Sequence, residues 1–436
     1  MSSRSCVKGS RPIARPAGLA LSALIALAGA TPATAAESPD PAALPLMLRE
    51  CFAFALKRSE TIAVNAELIK ETEGRFLQAL SGALPRASFE SSDKRQDGSG
   101  SSAFTLRDVP ERKFTVSQPL FSGFKEFAAM AGTRAERRQR IVEKRRAEQL
   151  LFADVAQAFH LLLEHQEDLE ALGTTRQALA QRIEELQQRE RLGRSRASEV
   201  VSAEAQLRRV EAELELVRSR ETIARHLLEF LTGLERVAAV VDRDPSLPAL
   251  EPEAAYLTNA DSRSDVRALE EAWRAAEKEV TIAQAKFWPT VSLEGNYYAE
   301  RAGAAEDVKW DATLKLSVPL FQGGQTVGSV REASSKARQA RLRFVERQRI
   351  AELDIRDAHE KLRAALARLA ALERALRASE ESYRLQEEDY RLNLVNNLDV
   401  LQELQALQDA RRSFIQAKHE AKRLSWQLRV AVGETL

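Results

Sequence analysis

The side chains that could carry chemistry are few, and their spacing argues against most chemistries. Five histidines occur, at His160, His165, His226, His359 and His419. Two imidazoles hold a metal from one helix when they lie three or four residues apart. No pair has that spacing, so no metal site and no cofactor is expected, and these rings read as surface or packing residues. Cys6 and Cys51 are the only cysteines. Cys6 lies in a segment expected to be removed, so no internal disulfide can form, and Cys51 reads as a small buried hydrophobe. No Gly-rich loop ending in Gly-Lys-Ser/Thr is present to cradle a nucleotide phosphate. No Ser/His/Asp or Cys/His grouping supports a nucleophile. An enzyme is not indicated.

The 436 residues include 65 Lys+Arg and 64 Asp+Glu, a net charge of +1, with 30% charged and only 6% aromatic residues. This balance gives no electrostatic case for nucleic acid. The composition suits long, solvent-washed helices better than a thick core. At the N-terminus, Arg4, Lys8, Arg11 and Arg15 precede an apolar run from Leu19 to Ala28, and then Ala33-Thr34-Ala35. A basic region, a short apolar run and a small-x-small site make a secretory signal, assigned to residues 1–36. Beyond it no apolar run is long enough for a membrane-crossing helix, so any membrane span must be a closed β-barrel.

The remainder is a duplication. Gln118-Pro119-Leu120-Phe121-Ser122-Gly123 recurs as Val318-Pro319-Leu320-Phe321-Gln322-Gly323, and Leu231-Thr232-Gly233 as Ala431-Val432-Gly433, both 200 residues on. Two copies at one period mark a repeated unit, assigned to 37–240 and 241–436. Each copy reads as a helical segment (about 43–80, then about 252–286), a proline, an extended region, a second proline, and a very long helix starting near Gly123 or Gly324. In the second copy Trp310, Ala312, Leu314, Leu316 and Val318 alternate with polar residues, as do Val291 and Leu293. Period two gives one apolar and one polar face, which suits a water-filled membrane barrel and equally a half-buried hairpin on a soluble core. The stretch from Asp93 to Pro110, rich in Ser and Gly, reads as an exposed loop. Leu362, Leu369, Leu376, Tyr383 and Tyr390 repeat every seven residues, as do Val400, Leu407, Phe414, Ala421 and Leu428. Such heptads joined by a short turn make antiparallel coiled-coil hairpins. The turns fall at Gly193-Arg194-Ser195 and Asn393-Leu394-Val395, where Gly and Asn readily take a left-handed backbone.

The doubled unit, the Pro-Leu-Phe-x-Gly element before each long helix, and the tips running from Gly193 to Glu199-Val200 and from Asn393 to Asp399-Val400 resemble the TolC family of outer-membrane efflux proteins. No single motif is specific; their order, doubling and spacing are. The resemblance implies a mostly α fold with a small β part. Long antiparallel coiled-coil helices form an α-barrel, and four strands per chain join a trimeric twelve-stranded transmembrane β-barrel. It implies an exit duct of a tripartite efflux or type I secretion system, located in the outer membrane and reaching into the periplasm. Substrates would pass through it passively, from an inner-membrane pump or ABC exporter and a periplasmic adaptor. It further implies that Asp399 contributes to an acidic ring at the channel constriction. The family's second Asp is Gln402 here, and a family Arg is Val395, so this constriction is less charged. Tyr390 matches the family's tip tyrosine and Glu199 its latch partner. Gly193, Arg194, Asn393 and Leu394 fall on the tips that contact the adaptor. One bottom-up argument agrees: four strands cannot close a barrel alone, and an open edge in lipid is forbidden, so copies must associate. The competing reading is a periplasmic coiled-coil adaptor without a pore. Such a protein needs only one hairpin and a compact β domain.

Overall fold

The computed structural model describes residues 45–243, 246–247 and 249–435. The expected signal segment, 1–36, lies outside them. The first repeat runs α1 (Leu48–Arg58), α2 (Glu60–Ser81), β1 (Arg86–Arg95), β2 (Asp108–Phe121), α3 (Lys125–Arg191) and α4 (Ala197–Thr232). The second runs α5 (Glu253–Leu257), a 3-10 turn at Ala260–Ser262, α6 (Ser264–Ala285), β3 (Thr290–Arg301), β4 (Trp310–Ser317), α7 (Gln325–Arg391) and α8 (Asn397–Val432). α3 and α7 each span 67 residues without a proline, about 100 Å at 1.5 Å per residue.

Three local readings change. The first helical segment breaks at Ser59, whose extended backbone ends α1 while its Oγ accepts the Ile62 N–H and caps α2. Its counterpart in the second repeat is likewise split, into α5, the 3-10 turn and α6. The 93–110 stretch is shorter as a loop than its composition suggests. β1 continues to Arg95, pairing Asp93 with Pro110 and Arg95 with Asp108. Pro119 does not head α3; it sits inside β2 beside a register shift, where a missing N–H costs the ladder least.

The heptad positions form the core. Val200, Ala203, Val210, Leu214 and Val217 of α4 pack with Leu172, Leu179, Ile183 and Leu186 of α3, and with Tyr390, Val400, Leu401 and Leu404 of the other hairpin. A second cluster gathers Cys51 and Ala55 with Phe159, Leu162, Leu228 and Val237. Burial pushes the Cys51 thiol up to about 12, as befits an inert packing residue. The repeats do not fold apart: β2 pairs with β3, and Arg412 of α8 donates two bonds to Asp168 of α3, at 2.7 and 3.0 Å. Arg423 likewise reaches Glu164, and Lys418 reaches Glu167.

Candidate functional site

The sheet is a four-stranded antiparallel meander in the order β1-β2-β3-β4, with β1 and β4 at its edges. Register places like with like. Val291 faces Leu316, Leu293 faces Leu314, Gly295 faces Ala312, and Tyr297 faces Trp310. The same side continues through Val116 and Phe114 of β2 to Ala87 and Phe89 of β1. The opposite side carries Ser292 with Lys315, Glu294 with Thr313, and Asn296 with Asp311. Thr115 and Asn296 bond across it at 2.8 Å, as do Asn296 and Asp311 at 2.9 Å. One face is thus a continuous apolar band, exposed in the single chain, and the other is a hydrogen-bonded polar one. Aromatics bound the band: Tyr297 and Trp310 at one end, and Phe121, Phe124 and Trp288 in edge-to-face contact where the helices begin. An apolar band with aromatic rims and a polar reverse face is the pattern of a strand set between lipid and water. Among the described residues, no helix is long and apolar enough to cross a membrane.

At the far end of the long helices both tips use one device. Gly193 and Asn393 take the left-handed backbone, with φ 70° and 60°. In the first tip the Gly193 N–H bonds Glu190 O and the Arg194 N–H bonds Arg189 O. In the second, Asn393 bonds Tyr390 O and Leu394 bonds Asp389 O. These paired bonds end both helices with their last carbonyls satisfied. Asn396 caps α8 by accepting from the Leu398 and Asp399 N–H groups, while Asp399 Oδ2 accepts the Asn396 N–H at 3.1 Å. Asp399 is half-buried, and Gln402, three residues on and on the same helix face, is exposed. A groove beside them is lined by Arg196, Glu199, Asn396 and Asn397.

The tips do bring Tyr390 and Glu199 to one end of the molecule, since Tyr390 and Val200 share a core cluster. Within the chain, however, each has another partner. Glu199 Oε2 accepts from Ser195 Oγ at 2.6 Å, one turn earlier. The Tyr390 ring lies beneath two guanidinium groups, Arg182 at 3.7 Å from its centroid and Arg189 at 4.6 Å. Arg182 was not singled out from the sequence: on α3 it reads as one more solvated arginine. Its position on the heptad seam, three residues after Leu179, is the signal that could have found it.

A family model described as outer membrane efflux protein matches residues 54–234 and 258–434, one match in each repeat. The chain belongs to the outer membrane efflux protein family. It is 25% identical over 313 residues to the outer membrane protein TolC of Vibrio cholerae, covering 69% of this chain and 72% of that protein. It is 28% identical over 198 residues to the outer membrane protein OprJ of Pseudomonas aeruginosa, covering 43% of this chain and 41% of that one. The fold is similar to that of the outer membrane protein VceC of Vibrio cholerae. The TM-score is 0.77 at 22% identity, over 88% of this chain and 96% of that one.

Several buried polar residues of this outer membrane efflux protein join the two repeats. His160 of α3 and His419 of α8, 259 residues apart in sequence, meet with ring centroids 6.0 Å apart. Both are 1% exposed. The Trp426 Nε1–H donates to His160 Nε2 at 3.2 Å, which requires that nitrogen to be unprotonated. Burial, reinforced by the neighbouring His419, pulls the His160 pKa down to about 3. Nearby, His419 Nε2 stands 3.2 Å from Glu167 Oε1. For Glu167 burial alone would raise the carboxyl, but the His419 and Lys418 contacts outweigh it and hold the pKa at about 2. Among the described residues, no group of three or more His, Cys, Asp or Glu side chains is arranged to hold a metal ion.

Proposed function

We propose that this chain is one of three copies forming an exit duct. Their four-stranded sheets close a twelve-stranded barrel in the outer membrane, and their long helices continue it as a tunnel through the periplasm. The duct passes substrates from an inner-membrane pump or ABC exporter, handed over by a periplasmic adaptor at the helix tips. One observation carries this reading: a sheet with a continuous apolar face, a polar reverse face and two unpaired edges. Such a sheet is stable in lipid only when copies join edge to edge.

The helices support the same association. Glu60, Val64, Glu67, Leu68 and Glu71 line one open face of α2. On α7, Arg331, Arg338, Leu342, Val345, Arg349 and Leu353 share an exposed face. Glu60 lies 81 − 60 = 21 residues from the sheet end of α2, and Arg349 lies 349 − 325 = 24 from that of α7. The acidic-apolar and basic-apolar faces therefore stand at the same height, and α2 of one copy fits α7 of the next. A head-to-tail contact of this kind generates a ring. At the far end, Asp399 and Gln402 would line the narrowed passage, Tyr390 and Glu199 would stand at its closure, and Gly193, Arg194, Asn393 and Leu394 would meet the adaptor.

Mass measurement of the detergent-solubilised protein and single-channel recording in planar bilayers test the reading together. A trimer that conducts is expected. Asp399→Asn should reduce cation selectivity, because a ring of three carboxylates favours cations. A monomer stable without detergent that forms no pore would leave the adaptor reading in its place.

A further inference from the structure

We infer that Arg182 is the residue that ties the two hairpins together at the duct entrance, acting on Tyr390 as a positioning residue; the inference rests on the exit-duct reading above. Arg182 belongs to α3, in the first hairpin. Its contacts reach both helices of the second. The guanidinium stacks on the Tyr390 ring of α7 at 3.7 Å, and its Nε donates to Asn397 Oδ1 of α8 at 3.0 Å. Its Nη1 donates to Glu185 at 3.0 Å, and Glu185 also takes Arg189 Nη2 at 2.9 Å. One carboxylate therefore balances the two cations that hold the tyrosine ring. Arg182 is 9% exposed and Asn397 1%. A stacked guanidinium withdrawn from water is held more strongly to an aromatic ring than an exposed one.

The joint is also incompletely satisfied. Arg182 Nη2 and Asn397 Nδ2 are buried without a hydrogen-bond partner. Burying such donors unpaired disfavours the closed arrangement, and parting the hairpins gives both back to water. Attraction from the stacked cation and the penalty from the unpaired donors oppose each other. A joint so balanced can be shifted by a modest input at the tips, whereas a fully bonded one could not.

The test is single-channel recording of the full-length protein in planar bilayers, with Arg182→Met, Arg182→Lys, Tyr390→Leu, the Arg182→Met/Tyr390→Leu pair and Asp399→Asn. Arg182→Met keeps an unbranched apolar stem but removes the cation and its donors. It should raise the ratio of open to closed time on the order of tenfold. Arg182→Lys, which keeps a cation over the ring, should restore part of the closure. The pair should open no further than the larger single effect, because both changes break one contact. Trimer mass and melting temperature measured alongside separate this from misfolding. If Arg182→Met does not assemble, Arg182→Lys against Tyr390→Leu decides. Unchanged gating in the Arg182 variants, or strictly additive effects in the pair, would overturn the inference. If Asp399→Asn alters selectivity in that case, the duct reading stands and only the joint is lost. A parent protein that never conducts ends both.

Discussion

Lowering the pH from 7 to 5 should destabilise the helical body, and His160 should account for much of the loss. Its imidazole is buried between α3 and α8, accepts the Trp426 N–H, and has its pKa pulled down to about 3. The groups that act on it are His419, Lys422 and Arg423 of α8, which disfavour its charge, and Asp242, which favours it. A histidine in the unfolded chain titrates near 6.5. Because the folded value is depressed, the unfolded chain binds the proton first, and stability present above pH 6.5 is lost as the pH falls. At pH 5 the unfolded side chain is about 97% protonated and the folded one about 1%. The linkage relation then gives a loss of about 2 kcal/mol per chain relative to pH 7. Glu167 does not confuse the comparison: its folded pKa of about 2 means that its contribution fades only below the ordinary carboxylate range near 4.5. The assay is the guanidinium midpoint of helical circular dichroism, in detergent, at both pH values. His160→Gln retains an acceptor for Trp426 and does not titrate. The variant should show a pH 7-to-5 loss smaller than the parent's by about 2 kcal/mol. An identical loss in the variant would show that the folded imidazole accepts the proton freely.

Leu314 lies in the middle of the apolar band, opposite Leu293, whereas Lys315 is on the polar side. Leu314→Arg should reduce the yield of outer-membrane-inserted protein, with a penalty of ~2–4 kcal/mol, and Lys315→Arg should insert normally. Gly123 has φ 67°, and a Cβ there would stand 2.8 Å from Ala285 O and from Trp288 Cβ. Gly123→Ala should therefore lower stability by at least about 2 kcal/mol, more than Gly193→Ala, whose Cβ meets open space; paired denaturation curves compare them. Asp265 is held well below the carboxylate range, since bonds from Arg263 and Arg347 outweigh the opposing effect of burial. Asp265→Asn would leave Asp354 as the one carboxylate beside the fully buried Arg263 and the half-buried Arg347. Its expected cost is about 1–3 kcal/mol, read as a lower denaturation midpoint.

Much of the fold is legible in the sequence because its determinants are local and periodic. The seven-residue spacing from Leu362 to Tyr390 is a property of the chain itself, and α7 follows it to Arg391. Gly193 and Asn393 mark the tips because a left-handed residue suits few other side chains. Alternation exposes β3 and β4, where each polar residue sits beside an apolar one. It fails at the end of β1, because Ser91 to Arg95 carry no apolar side at all and are held by backbone pairing and the Arg95–Asp108 ion pair. The tip shows the deeper limit. A tyrosine and a carboxylate brought to one end invite a hydrogen bond, but proximity does not choose partners. Ser195 takes Glu199 from within its own tip, at little entropic cost. Tyr390 presents its ring face to α3, and a ring face attracts a cation rather than a carboxylate. Nothing in a one-dimensional pattern distinguishes Arg182 from the many arginines that stay in water. What distinguishes it is burial between two hairpins, and that exists only once both repeats have folded against each other.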